Sequence, residues 1–318
     1  MRSAGQRALL AFLVHVGFLA LASDAQAFCR STTCRATATR PCPTDADECP
    51  TEGAKLFWPT SCIGYATHKL GSNRFDPEET RAVIRKTFEA WSDVECPDGK
   101  VASMTFQERE PVSCGKSQYN AKDRNVNVVL FQDSMWKYRG TDQTLAKTSV
   151  TYNDETGEIY DADIEINTAN EPITISDDPG EIQADLQAIL THEVGHFIGL
   201  AHSPDSQAVM FAQYSPQSTS QRRLSPDDVA AICATYPPEN GVVCNTEPRN
   251  GFSGTCDEPE KSGFCSVQPA GAGGSYGALT LAGAMGVVIL RARLRRSASQ
   301  KYAIAERSAK ADERGGRR

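Results

Sequence analysis

One segment constrains this chain more than any other: His192-Glu193-Val194-Gly195-His196-Phe197-Ile198-Gly199-Leu200-Ala201-His202. On a helix, His192 and His196 lie one turn apart on the same face, so two imidazoles can reach one metal ion. Glu193 lies beside them, placed to reach a water on that metal and not to be a ligand itself. Gly199 can adopt a backbone conformation closed to other residues, so the helix can turn sharply there. The turn brings His202 back as a third imidazole. Three neutral nitrogen ligands leave the fourth tetrahedral position for water, the pattern of a catalytic zinc. The chain has only five histidines, and three of them fall here, which a scatter of core or surface histidines does not explain. His68, by contrast, reads as a surface residue of a strand region.

The chain is long enough to give such a helix a core. It has 318 residues, 40% hydrophobic and 23% charged, an ordinary globular balance with room for one good core plus appendages. The net charge of −7 is uneven, because the stretch beyond Leu290 is strongly basic and the body is acidic. An acidic body repels phosphate backbones, so no nucleic-acid partner is expected.

Arg2 and Arg7 precede an apolar run from Ala8 to Ala22, and Ala25-Gln26-Ala27 has the small-x-small pattern of a signal peptidase site. Residues 1–27 are therefore expected to be a signal peptide. The alternative, a membrane-anchoring helix, suffers from a run that is short for a span. Behind an export signal, eleven cysteines with no close CxxC pair read as a disulfide framework. Residues 28–55 form a Cys-rich leader segment and 56–238 the main domain. Residues 239–268 form a second Cys-rich linker, 269–296 a C-terminal sorting signal or transmembrane segment, and 297–318 a basic tail. In the last part a Gly-rich stretch leads into apolar Ala278–Leu290, and Arg291, Arg293, Arg295 and Arg296 follow at once. That order suits a span with the arginines on the cytoplasmic side. Cys265, just before the Gly-rich stretch, is expected to be the unpaired cysteine, leaving ten for five bridges.

Leu56–Tyr65, Met104–Gln107, Val126–Phe131, Leu145–Tyr152 and Ile159–Asn167 read as strands, the last two joined by a turn at Asn153–Gly157. Asp76-Pro77 opens one helix, with Asp as N-cap and Pro at the first position, burying Val83, Ile84, Phe88 and Trp91. Asp177-Asp178-Pro179 is expected to open the helix that carries the histidines. Ser225-Pro226-Asp227-Asp228 opens a third, which Pro237-Pro238 must stop.

The histidine segment matches the HExxHxxGxxH pattern of metzincin zinc metallopeptidases, and the finer resemblance is to matrixins, the matrix-metalloproteinase-like group. His202-Ser203 leads to Ala208-Val209-Met210-Phe211, and Met210 falls where that family's turn methionine falls, a hydrophobic floor beneath the zinc ligands. Tyr214 resembles the tyrosine in the wall of the family's specificity pocket, although Ala212 stands where the group usually has proline. Leu145–Tyr152 occupies the place of the edge strand against which substrate lies as an added strand. Asp163, in Asp161-Ala162-Asp163, replaces a histidine that holds a structural metal in vertebrate matrixins, so a second zinc is not expected. Calcium through Asp154, Asp161, Asp163 or Glu165 is one reading of these acids, and surface solubility is the other. No cysteine-switch propeptide motif is present. Gly263-Phe264-Cys265-Ser266 with the spacer, apolar block and arginines resembles the myxobacterial C-terminal sorting signal, in which the cysteine marks the processing and anchoring point. A plain membrane anchor is the competing reading.

The resemblance implies an α+β metzincin catalytic domain: a twisted, mostly parallel five-stranded sheet with one antiparallel edge strand, and three helices. It implies one catalytic Zn2+ on His192, His196 and His202, Glu193 as general base, and protein or peptide substrates cut internally. The flanking segments add export through the secretory pathway and association with the membrane or outer cell surface. Two rivals stand beside this: a catalytically silent zinc-containing surface module, which would typically have lost Glu193, and a zinc exopeptidase, which would need charged groups to capture a peptide terminus.

Overall fold

A computed structural model describes residues 28–37, 39–138, 144–238 and 244–255. The expected signal peptide, the C-terminal apolar segment, the basic tail and Cys265 lie outside the described residues. Among the described residues no helix is long and apolar enough to cross a membrane.

Five strands form the main sheet: β1 (Cys62–Thr67), β2 (Thr105–Glu108), β3 (Val128–Phe131), β4 (Ala146–Tyr152) and β5 (Ile159–Ile166). Their order is β2-β1-β3-β5-β4. All neighbours are parallel except β4 and β5, which pair antiparallel with Thr148 opposite Ile164. The expected mostly parallel sheet with one antiparallel edge strand is thus present. β1 starts later than the aromatic run from Leu56 suggested. Pro59 lacks the N–H a ladder needs, and Phe57 instead bridges Glu158.

Helix α1 (Pro77–Ala90) begins where expected, because the Asp76 carboxylate accepts the free N–H groups of Glu78 and Glu79. It buries Ile84 and Phe88 against the sheet and ends on the buried Trp91. Phe88 stacks on Tyr65 and meets Phe106 and Phe197 edge-on, joining α1, β1, β2 and the histidine helix in one aromatic cluster. Burying one such ring contributes about 2–3 kcal/mol. Helix α3 (Pro226–Thr235) carries the Ser225/Asp228 capping box and stops before Pro237, as expected.

The histidine helix α2 (Leu186–Phe197) corrects the reading of Asp177-Asp178-Pro179 as its start. Two short parallel strands, β6 (Ile173–Thr174) and β7 (Ala184–Asp185), come first, and the N-cap is Asp185, which accepts the Ala188 N–H at 2.7 Å. Asp178 instead caps a turn by accepting the Gly180 N–H at 2.9 Å. Pro179-Gly180 is a stronger turn former than helix starter. Ile182 is buried as expected, but ahead of the helix.

Disulfides join Cys29 to Cys49, Cys34 to Cys42, Cys62 to Cys244 and Cys96 to Cys233, and Cys114 is disulfide-bonded as well. The second and third of these bridges differ in reach: Cys34–Cys42 spans 8 residues, whereas Cys62–Cys244 spans 182 and ties β1 to the segment after α3.

The reading of Asp161, Asp163 and Glu165 as surface acids is corrected by burial: they are 2%, 1% and 0% exposed. They alternate with core-facing Ala162, Ile164 and Ile166 along β5, so all three share its other face. Asp163 accepts the Gln118 and Val128 N–H groups at 2.9 and 3.0 Å. Glu165 accepts from Gln132 and Tyr138 and pairs with Lys137. Asp161 Oδ1 is buried without a hydrogen bond. Asp154 is exposed and pairs with Arg35. Among the described residues these acids make no three-ligand oxygen cage.

Burial, with the mutual repulsion of Asp161 and Asp163, raises the Asp161 carboxyl well above its ordinary value, and burial lifts Asp163 to about 7. Raised carboxyls bind protons in the folded state that the unfolded chain has released. Their stabilising contribution is therefore complete below the ordinary value of 3.8 and is lost as pH rises through the folded values. Asp161→Asn should remove part of that loss. Between about pH 5 and 8 the wild type is expected to lose stability relative to this variant, read as diverging urea midpoints. Parallel midpoints across that range would contradict it.

Candidate metal centre

α2 and the turn after it carry the whole cluster. His192 is buried and His196 and His202 are half-buried, and they are the one group of three or more metal-competent side chains among the described residues. His192 and His196 share a helix face by their spacing. His202 joins them because Gly199 has φ +89°, which turns the chain back, and a Cβ there would stand 2.6 Å from the Leu56 carbonyl oxygen.

The Nε2 atoms of His192 and His196 are 3.1 Å apart, and those of His196 and His202 are 3.2 Å apart. Tetrahedral nitrogen ligands at a zinc–nitrogen distance of about 2.05 Å stand roughly 3.3 Å apart, so the three fit one zinc ion. The tautomers agree. A carbonyl can only accept, so His192 Nδ1–H donates to Val209 O at 2.7 Å and His196 Nδ1–H to Leu200 O at 2.9 Å. With Nδ1 carrying the proton, both Nε2 atoms face each other as lone pairs, an arrangement that repels unless a cation lies between them. Burial and then the neighbouring imidazoles hold His192 well below its ordinary pKa, and burial and His196 push His202 down to about 3. Both are neutral, ligand-competent imidazoles at pH 7.

Glu193 is 1% exposed. Its Oε2 accepts from Thr148 Oγ1 at 2.6 Å, and the same hydroxyl lies 3.0 Å from the Glu193 carbonyl oxygen. Its Oε1 is buried without a hydrogen bond. Burial raises the Glu193 carboxyl, while His196 and Thr148 pull it down. A carboxylate held by one oxygen, with the other free and its proton affinity raised, is arranged to accept a proton.

Thr148 sits on β4, the edge strand, so the sheet edge and the acid are joined by one hydrogen bond. Sequence reasoning missed Thr148, because nothing local in Leu145–Tyr152 points to residue 193.

Behind the ligands the packing is close. Trp91 Nε1–H donates to Thr191 O, Trp58 Nε1–H to Phe197 O and Tyr236 O–H to Ile198 O, each at 2.8 Å. Met210 lies against Gly195: a Cβ there would meet Met210 Sδ at 2.1 Å and Trp91 Cζ2 at 3.2 Å. Asp228, fully buried, accepts the N–H groups of Val209 and Met210 at 2.8 and 3.1 Å, and Ser203 Oγ–H donates to Asp227 at 2.7 Å. The two acids at the start of α3 thus fasten both ends of the turn that carries Met210. Asp228 was legible as a capping residue, but not its reach to residue 209.

Tyr214 is buried, and its hydroxyl accepts the Asp185 N–H at 2.8 Å and donates to Ser218 O at 2.9 Å. It holds the segment after Met210 to the start of α2. Arg222 adds a two-point ion pair with buried Asp185 at 2.8 and 2.5 Å, another contact that the sequence did not announce.

The matrixin family profile matches residues 57–237. The chain is 27% identical over 191 residues to metalloendoproteinase 1-MMP of Arabidopsis thaliana, covering 58% of this chain and 45% of that protein. It is 27% identical over 195 residues to matrix metalloproteinase-16 of Homo sapiens, covering 60% and 29%. It is 30% identical over 176 residues to matrix metalloproteinase-19 of Homo sapiens, covering 54% and 28%. The chain therefore spans less than half the length of each of these relatives.

Proposed function

The chain belongs to the matrixin family, and from that premise we propose that it is a zinc-dependent endopeptidase hydrolysing internal peptide bonds of proteins. The observation that carries this is the convergence of three imidazole Nε2 atoms beside a buried carboxylate that is anchored by one oxygen to an edge strand.

His192, His196 and His202 would hold the ion. Bound there, zinc supplies a Lewis acid that acidifies water and polarises a carbonyl. The remaining work falls to the chain's own groups. An extended peptide pairs with the edge of β4 that no strand occupies among the described residues, which presents main-chain donors and acceptors at strand spacing. Thr148 fixes the Glu193 carboxylate from that same strand. Glu193 Oε1 takes the proton of the attacking water and returns it to the leaving nitrogen. Val209 O and Leu200 O keep His192 and His196 in the ligating tautomer. By the family resemblance Met210 would be the floor beneath the cluster and Tyr214 part of the wall of the specificity pocket.

The sequence patterns of 1–27 and 269–296 support delivery to the cell exterior and association with the outer surface. The retained Glu193 supports this reading over a silent zinc module, and the edge of β4, unpaired among the described residues, supports it over an exopeptidase.

Digestion of an unstructured protein with and without a chelator, read by mass spectrometry, tests all three. Internal cuts that the chelator abolishes are expected. Cuts confined to chain ends would establish an exopeptidase, and an uncut substrate beside zinc-loaded protein would establish a silent module.

A further inference from the structure

The Cys-rich leader lies outside residues 57–237, the stretch matched by the family profile, yet it touches the metal centre's scaffold. Arg30 forms an antiparallel bridge with Leu200, which lies between the second and third histidines. The Ser31 N–H donates to Gly199 O at 3.0 Å, and the Ala201 N–H donates to Cys29 O at 3.0 Å. Ser31 Oγ–H donates to Leu200 O at 2.9 Å. That same carbonyl accepts from His196 Nδ1–H at 2.9 Å. Ser31 and a ligand imidazole therefore converge on one oxygen.

The leader strand is itself fastened. Cys29 is 2% exposed and bonded to Cys49. The Ser31 carbonyl accepts the Leu56 N–H at 2.8 Å, and the Arg30 guanidinium donates to Leu56 O. That Leu56 oxygen is the atom lying against Gly199. Residues 29–31 and Leu56 thus enclose the 199–201 turn from outside, and the turn's course decides where His202 arrives.

We propose that residues 29–31, fixed by the Cys29–Cys49 disulfide, are a brace of the metal centre, with Ser31 a positioning residue that acts through the Leu200 carbonyl. The brace holds the His196 ring and the His202 approach in ligating geometry before any ion arrives, so the three nitrogens need no ordering when they bind. Removing it leaves the ligands but loosens their arrangement, and the loss appears first as faster release of the ion. The inference rests on the zinc reading above.

The test compares the full mature chain with Ser31→Ala, Ser31→Thr, Cys29→Ser/Cys49→Ser and, as a control within the same leader, Cys34→Ser/Cys42→Ser. Zinc release into excess chelator is timed for each, and amide exchange of residues 199–202 is followed in the metal-free proteins. Ser31→Ala is expected to speed release about tenfold, the lower end of what outer partners of a ligand contribute. Ser31→Thr keeps the hydroxyl and should restore slow release. The Cys29/Cys49 variant should release faster still and lose amide protection at Ala201, while the Cys34/Cys42 variant stays near wild type. Wild-type release and protection in both Ser31→Ala and the Cys29/Cys49 variant would overturn the brace. Because amide exchange needs no metal, a chain that bound no zinc would refute the zinc reading while still reporting on the contact.

Discussion

Glu193→Gln should keep close to one equivalent of zinc and lose peptide cleavage by about a hundredfold or more, the usual scale of a lost general base. The substitution preserves size and polarity, and the amide can still accept from Thr148, which lies 2.6 Å from Oε2 in the wild type. What disappears is the proton acceptor at Oε1. His196→Ala should behave differently in kind. It removes a ligand and empties the Leu200 carbonyl of its imidazole partner, so zinc content and activity should fall together. The paired measurement is zinc stoichiometry and cleavage rate on both variants. A fully active Glu193→Gln enzyme, or one as zinc-poor as His196→Ala, would reverse the roles assigned to these residues.

Gly199→Ala should be strongly damaging to the turn that carries His202. At φ +89° an alanine is strained, and its Cβ would stand 2.6 Å from the Leu56 oxygen, a backbone atom that cannot swing aside. Strained backbone costs about 1–3 kcal/mol and forced overpacking a similar amount, so a loss of about 3 kcal/mol or more is expected. Gly71→Ala separates the two effects. Gly71 has φ +56° with nothing within 4 Å of a built Cβ, so it bears the backbone strain alone. The predicted order is wild type, Gly71→Ala, then Gly199→Ala well below, in denaturant midpoint, with zinc lost only from the last. Equal destabilisation of the two would show that the Leu56 contact is immaterial.

The histidine spacing made the ligand set legible before any coordinates, because two imidazoles at i and i+4 and a glycine turn are local facts. So were Asp76 and Ser225 as helix starts, since a cap is satisfied within its own first turn. The start of α2 was misplaced because Asp177-Asp178-Pro179 and Asp185 both offer local capping chemistry. The choice between them was made by β6 pairing with β7, a contact between segments about ten residues apart. Asp161, Asp163 and Glu165 looked like surface acids because composition alone cannot show that the 118–138 stretch covers that face of β5 with N–H and hydroxyl donors. Thr148, Asp228 and Ser31 share one reason for staying hidden. Each acts on the site from well outside its own local segment through side-chain hydrogen bonds, and a short polar side chain carries no mark of where its partner will be.

β4 has a partner on one side only, and among the described residues no strand pairs with its other edge. Such an edge sorts polypeptides by their state before it reads their side chains: only a stretch able to lie straight can dock on it. Helices and tightly crosslinked loops are refused, whatever their composition. The body of this protein is of the refused sort, stitched by Cys62–Cys244 and Cys96–Cys233 across most of its length. Under the endopeptidase reading proposed above, a population of such molecules would thus spare its intact members and consume those that had come undone.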